Sequence, residues 1–173
     1  IFFIKPKMIR IYPLMFILLW SSAFITTKPI VDNSEPFSAL AFRFFFVAVG
    51  FYLFSLYSKN SIIIPKKNLL ESIFSGVLFH GFYLGGVFFS ISIGMPAGIA
   101  ALIVTLQPIL TNILSGPLLN EKISFKQWVG AILGFFGATL VLGLDLGSDI
   151  PTYGLLATII ALISITSSTI WQK

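Results

Sequence analysis

The chain has 173 residues, 57% of them hydrophobic and 10% charged, with a mean hydropathy of +0.99, which excludes an ordinary soluble domain and points to an integral membrane protein. Its net charge of +5 does not indicate a nucleic-acid partner: no run is basic enough, and basic residues in so apolar a chain act as orientation signals in cytoplasmic loops. With no cysteine and a single histidine, His80, neither a disulfide framework nor a thiolate or histidine-cluster metal site is expected, and no cofactor is implied.

Apolar runs of about 20 residues, the length that crosses a bilayer, predict six helices: Ile11–Val31, Phe37–Tyr57, Leu69–Ile93, Ala97–Leu119, Phe125–Leu144 and Thr152–Trp171. The fold class is therefore an all-α polytopic transmembrane bundle. The third, fourth and fifth runs lie close together, punctuated by Met95-Pro96 and by Asn120 to Ser124. A secretory signal peptide is a poor account of the first run, because similar runs follow it and no small-residue cleavage pattern is evident. The start at Ile1, the internal Met8 and the stop at Lys173 directly after an apolar run read as a fragment.

Charge then orients the spans. Lys5, Lys7 and Arg10 precede the first run, Lys59, Lys66 and Lys67 separate the second from the third, Lys122 and Lys126 separate the fourth from the fifth, and Lys173 follows the sixth. The alternate connections carry Asp32 and Glu35, then no charge, then Asp145 and Asp149. Both termini are thus expected in the cytoplasm, with the chain in the cell (inner) membrane. Lys28 and Arg43 break the pattern. Lys28 stands four residues before Asp32, where a helical pair or snorkelling to the outer interface satisfies it. Arg43 is deeper, about 10 Å along a helix that begins near Pro36. It is either an outer-leaflet snorkeller or packing ion pair, or a residue facing a translocation path.

At 100° per residue the fourth run sorts into two faces. Gly98, Ala101, Thr105, Pro108, Asn112 and Gly116 share one, and aliphatic residues cover the other. Pro108 cannot bond to the carbonyl of Val104, which then needs a partner in protein or in a wet cavity. The small, polar face is either a tight helix contact or a pore lining. In the third run Ser72, Gly76, His80, Tyr83, Ser90 and Gly94 fall within one sector, and an ionisable group at membrane depth makes His80 with Tyr83 a cavity-facing hypothesis. Gly130, Gly134 and Gly137 align on the fifth run at a spacing that favours close helix packing. Every carboxylate sits in or near a loop and no phosphate-binding loop is present, so neither an enzyme nor direct ATP coupling is expected.

Four stretches resemble the EamA-type members of the drug/metabolite transporter superfamily. They are Leu19-Trp20-Ser21-Ser22-Ala23-Phe24-Ile25; Pro36 with Arg43-Phe44; the run Pro96 to Leu102 with Leu106-Gln107-Pro108 and Leu118 to Ser124; and Trp128 to Gly134 with Gly137-Ala138. The resemblance covers nearly the whole chain, and its order and spacing are more specific than any one segment. It implies a ten-helix transporter of two inverted five-helix repeats with a central cavity and alternating access. On that scheme residues 1–10 are a cytoplasmic tail, 11–146 the first repeat and 151–173 the first helix of a second repeat, with four expected helices absent. A homodimer is one way such a chain completes its cavity.

By the same resemblance the cavity lies between helices one, three, four and six of this part and their counterparts, with Trp20, Ser21, His80, Tyr83, Thr105 and Asn112 as its candidates. Arg43, Pro108, Glu121 and the three aligned glycines are assigned to structure or gating. The implied cargo is a small metabolite such as an amino acid, moved outward with proton coupling through the lipid bilayer. A non-transporting membrane scaffold, whose polar faces are packing seams only, is the alternative, and an intramembrane enzyme a distant third.

Overall fold

A computed structural model of the chain describes residues 11–58, 65–142 and 149–173. They form helices α1 (Ile11–Asn33), α2 (Pro36–Tyr57), α3 (Lys66–Ser92), α4 (Ala97–Leu119), α5 (Phe125–Leu142) and α6 (Thr152–Trp171), with no strand among the described residues. Helices α1, α2, α3, α4 and α6 are each long and apolar enough over their described residues to cross a membrane. The end predicted for α5 at Leu144, the basic tail before Ile11, and Lys59 and Asp145 fall outside the described residues.

Local chemistry explains the ends. Pro36 opens α2 from its first turn, where a missing N–H costs nothing. Lys28 donates to both oxygens of Asp32 at 3.1 Å, the helical pair anticipated at that spacing. Helix α3 begins at Lys66, three residues before the apolar run, because a helix can carry a polar turn into the interface; Lys67 reaches Glu71 there at 3.8 Å. It ends in a left-handed residue, Gly94 at φ +97°, whose N–H bonds to Ile91 while that of Met95 bonds to Ser90. Asn120, at φ 53°, closes α4 in the same left-handed region.

Two helices are not continuous α-helix. In α4 the turn at Thr105 and Leu106 separates Ala97–Val104 from Gln107–Leu119, where Pro108 leaves Val104 without its helical donor. The Leu106 N–H bonds to Ile103 in a tighter turn, and the Thr105 hydroxyl donates to Ala101 at 2.7 Å. In α3 the stretch Val77–Leu84 adopts wide π-turns between the α-helical pieces Lys66–Gly76 and Gly85–Ser92.

Helix α6 is the most enclosed of the spanning helices and packs against α3 and α4. Its buried positions Gly154, Thr158, Ala161, Ile165 and Ser168 recur at steps of four and three, a single face on which all but Ile165 are small. Gly86 of α3 meets that face so closely that a Cβ there would lie 2.8 Å from the Ala157 carbonyl oxygen. Further along, the Ser75 and Ser168 hydroxyls are 2.9 Å apart, and the Gln107 amide donates to Thr169 at 3.1 Å. Tyr83, Val87, Ile91, Met95, Ala100 and Ala161 belong to the apolar core. Helix α2 is peripheral: only Pro36 and Leu40 of it are buried, and Phe42, Phe45 and Phe46 point outward.

Candidate functional site

The wide-turn segment of α3 carries Phe79, His80 and Tyr83, and two cavities meet at it. A π-turn redirects the side chains that follow it and is frequent at functional sites. The first cavity, about 380 Å³, is enclosed by α1, α2 and α3. Phe16, Trp20, Ala23 and Thr27 line it at steps of four, three and four, one face of α1. Arg43, Phe44 and Val47 come from α2, and Phe79, His80, Tyr83 and Val87 are among those from α3. Its walls are aromatic: Phe44 and His80 have ring centres 4.8 Å apart, Phe79 lies 5.0 Å from His80 and 5.3 Å from Tyr83, and Trp20 meets Phe79 edge-on at 6.2 Å. Tyr83 is 2% exposed.

The second cavity, about 610 Å³, lies toward the α3 start and the α6 end. Asn68, Glu71, Ser72 and Ser75 give it a polar wall, and Trp171 and Gln172 another. Phe79 and His80 are in the lining of both cavities, which therefore adjoin at this segment of α3. At the same end, Gln172 donates to Ser75, and Lys173 pairs with Glu121 at the close of α4.

Of the residues singled out by sequence, Trp20, His80 and Tyr83 come together around one cavity, joined by Arg43. Ser21 stands one step round α1 from Trp20, exposed and off that wall. Thr105, Pro108 and Asn112 line a separate groove of about 420 Å³ with Gln127, Gly130 and Gly134 of α5. The residues lining the cavity of Trp20, His80 and Tyr83 come from α1, α2 and α3, while α6 packs against α3 and α4. Among the described residues, a Cβ at Gly130, Gly134 or Gly137 would find nothing within 4 Å. Close approach occurs instead at Gly86 and at Gly154, where a Cβ would lie 3.2 Å from that of Met95.

Phe79 and Gln107 were not singled out as site or contact residues. Nothing in composition marks Phe79 among 19 phenylalanines, although its place beside His80 in a polar sector was a usable signal. Gln107, a polar group at membrane depth next to Pro108, carried a stronger one. What the α1–α2–α3 cavity offers chemically is a set of aromatic surfaces, one guanidinium and one imidazole. Among the described residues no three of His, Cys, Asp and Glu are grouped to hold a metal.

A model of the EamA-like transporter family matches residues 9–143. The "probable amino-acid metabolite efflux pump" of Escherichia coli is 27% identical over 161 residues, 92% of this chain and 52% of that protein. An uncharacterized transporter of Bacillus subtilis is 26% identical over 172 residues, 96% of this chain and 53% of its own length. Protein PecM of Dickeya dadantii is 28% identical over 156 residues, 90% and 50% respectively. The chain spans about half the length of the curated relatives it matches. No solved structure matches it.

Proposed function

The chain belongs to the EamA-like transporter family, and from that premise we propose that it serves a secondary transporter of small organic solutes. The observation that carries this reading is the pair of adjoining cavities that share Phe79 and His80 in their linings. With the basic connections in the cytoplasm, the Asn68–Gln172 cavity is a cytoplasmic vestibule and the Trp20–Arg43–Tyr83 cavity an inner chamber open toward the other side. A solute passes between them when the segment carrying Phe79 and His80 rearranges, which is alternating access reduced to one segment of one helix. Wide turns inside an α-helix are frequent at functional sites, as the Val77–Leu84 segment is on this reading.

The cargo we propose is an amino acid or related metabolite, a class supported by the name of the Escherichia coli relative, moved outward across the inner membrane. His80, the single histidine, is the group through which proton coupling would act. Residues 11–146 form one repeat, α6 begins a second, and a second copy is the proposed partner where further helices are needed to close the cavity.

The test is uptake and counterflow in proteoliposomes containing the full-length protein, with a panel of radiolabelled amino acids. Counterflow that falls when His80→Ala or Trp20→Ala is introduced supports the reading. Transport of a panel member that neither replacement alters refutes the site, and a protein that moves no panel member across sealed vesicles refutes the function.

A further inference from the structure

We propose that Arg43 reads an anionic group, a carboxylate or a phosphate, on whatever occupies the α1–α2–α3 cavity; the inference rests on that cavity being the solute chamber. The guanidinium keeps its charge at any pH the protein meets. It lines a cavity otherwise walled by Phe16, Leu19, Trp20, Phe44 and Val47, and none of the lining residues is acidic. Among the described residues, the ion pairs join Lys28 to Asp32, Lys67 to Glu71 and Lys173 to Glu121; none includes Arg43. Of the other polar side chains in the lining, Thr27 donates to the Ala23 carbonyl at 2.7 Å, and His80 and Tyr83 are not carboxylates.

Arg43 is exposed while lining this aromatic cavity, and a cation at membrane depth is costly unless an anion or water meets it. Three lysines have carboxylate partners elsewhere, and the lining of this cavity offers Arg43 none; on this proposal the complementary charge arrives with the ligand. The planar fork of Arg43 suits two oxygens of one group, and the rings of Trp20, Phe44 and Tyr83 suit an apolar or flat body attached to it. The predicted ligand is thus amphipathic, with an anionic head and an apolar body. A lipid headgroup phosphate shares the head chemistry and is the source to be separated from a soluble solute.

Binding is read as thermal stabilisation of the full-length protein in maltoside detergent without phospholipid. Phenylacetate and phenylphosphonate are the anionic probes, and phenylacetamide and benzylamine the neutral and cationic ones. We expect the anions to act at roughly tenfold lower concentration than the amide, the scale of a charge-assisted hydrogen bond. Arg43→Gln removes that preference and Arg43→Lys keeps part of it, since the charge survives and the fork does not. An equal response to anion and amide, a preference that survives Arg43→Gln, no response to any probe, or stabilisation by phosphatidylglycerol alone overturns the proposal. Where Arg43→Gln does not fold, the anion-to-amide ratio of the unaltered protein still decides. Because no transport is scored, a protein that moves solute without anion preference defeats this inference only, and one that binds anions through Arg43 but transports nothing defeats only the wider function.

Discussion

Replacing Gly86 with alanine probes the contact that holds α6 against α3. The added Cβ would sit 2.8 Å from the Ala157 carbonyl oxygen and 3.2 Å from the Ala161 Cβ, and the first of these is backbone that no rotamer change can move. Relief requires the two helices to part by several tenths of an ångström at the centre of the small-residue face. Overpacking of that kind costs about 1–3 kcal/mol, and the better helix propensity of alanine returns up to about 1 kcal/mol, so a net loss of roughly 1–2 kcal/mol is expected. Gly134→Ala, on a helix where the same atom finds nothing within 4 Å, keeps only the propensity gain and should be neutral or slightly stabilising. Unfolding in mixed micelles with increasing dodecyl sulfate, followed by far-UV circular dichroism, measures both. Equal behaviour of the two variants, or a stabilised Gly86→Ala, would refute the claim that α3 and α6 meet at Gly86 rather than through the α5 glycines.

Three other substitutions follow from the same geometry. Ser168→Val removes a buried hydroxyl shared with Ser75 and Gln172 and should cost about 0.6–1.7 kcal/mol, the range for polar contacts between membrane helices, measured in the same micelle titration. Glu121→Gln breaks the pair with Lys173, but both side chains are more than a third exposed, so the loss should stay within about 1 kcal/mol and vanish at high salt. In solute uptake, Trp20→Ala should lower the rate roughly tenfold or more, as loss of an aromatic cavity wall does, whereas Ser21→Ala, off that wall, should leave it within about twofold.

The spans were legible because the bilayer sets both their length and their composition; even the interruption of α4 was written in Pro108, whose ring removes a specific hydrogen bond. The pairing of Lys28 with Asp32 was legible for the same reason, being local. The wide turns at Val77–Leu84 were not, since an i to i+5 pattern among apolar residues leaves no mark in the residue order. Periodicity sorted each helix into faces without saying which neighbour each face meets. His80, Tyr83 and Trp20 share a cavity because α1 and α3 are adjacent, whereas Thr105 and Asn112, equally polar and equally well placed along their helix, turn toward α5. Glycine spacing did not mark the contact with α6: among the described residues the closest approaches are made by Gly86 and Gly154.

The central claim is that the α1–α2–α3 cavity is a wet chamber on a solute path. Because the natural chain has no cysteine, single cysteines can be placed without removing any, and their reaction with a charged, water-soluble thiosulfonate reports water access in intact membranes. Ala23→Cys and Val47→Cys lie on the cavity wall, and Phe46→Cys, one step round α2, faces outward. The account predicts rapid labelling of the first two, slowed by transported solute, and little labelling of the third. Cavity positions that react no faster than Phe46→Cys would contradict it.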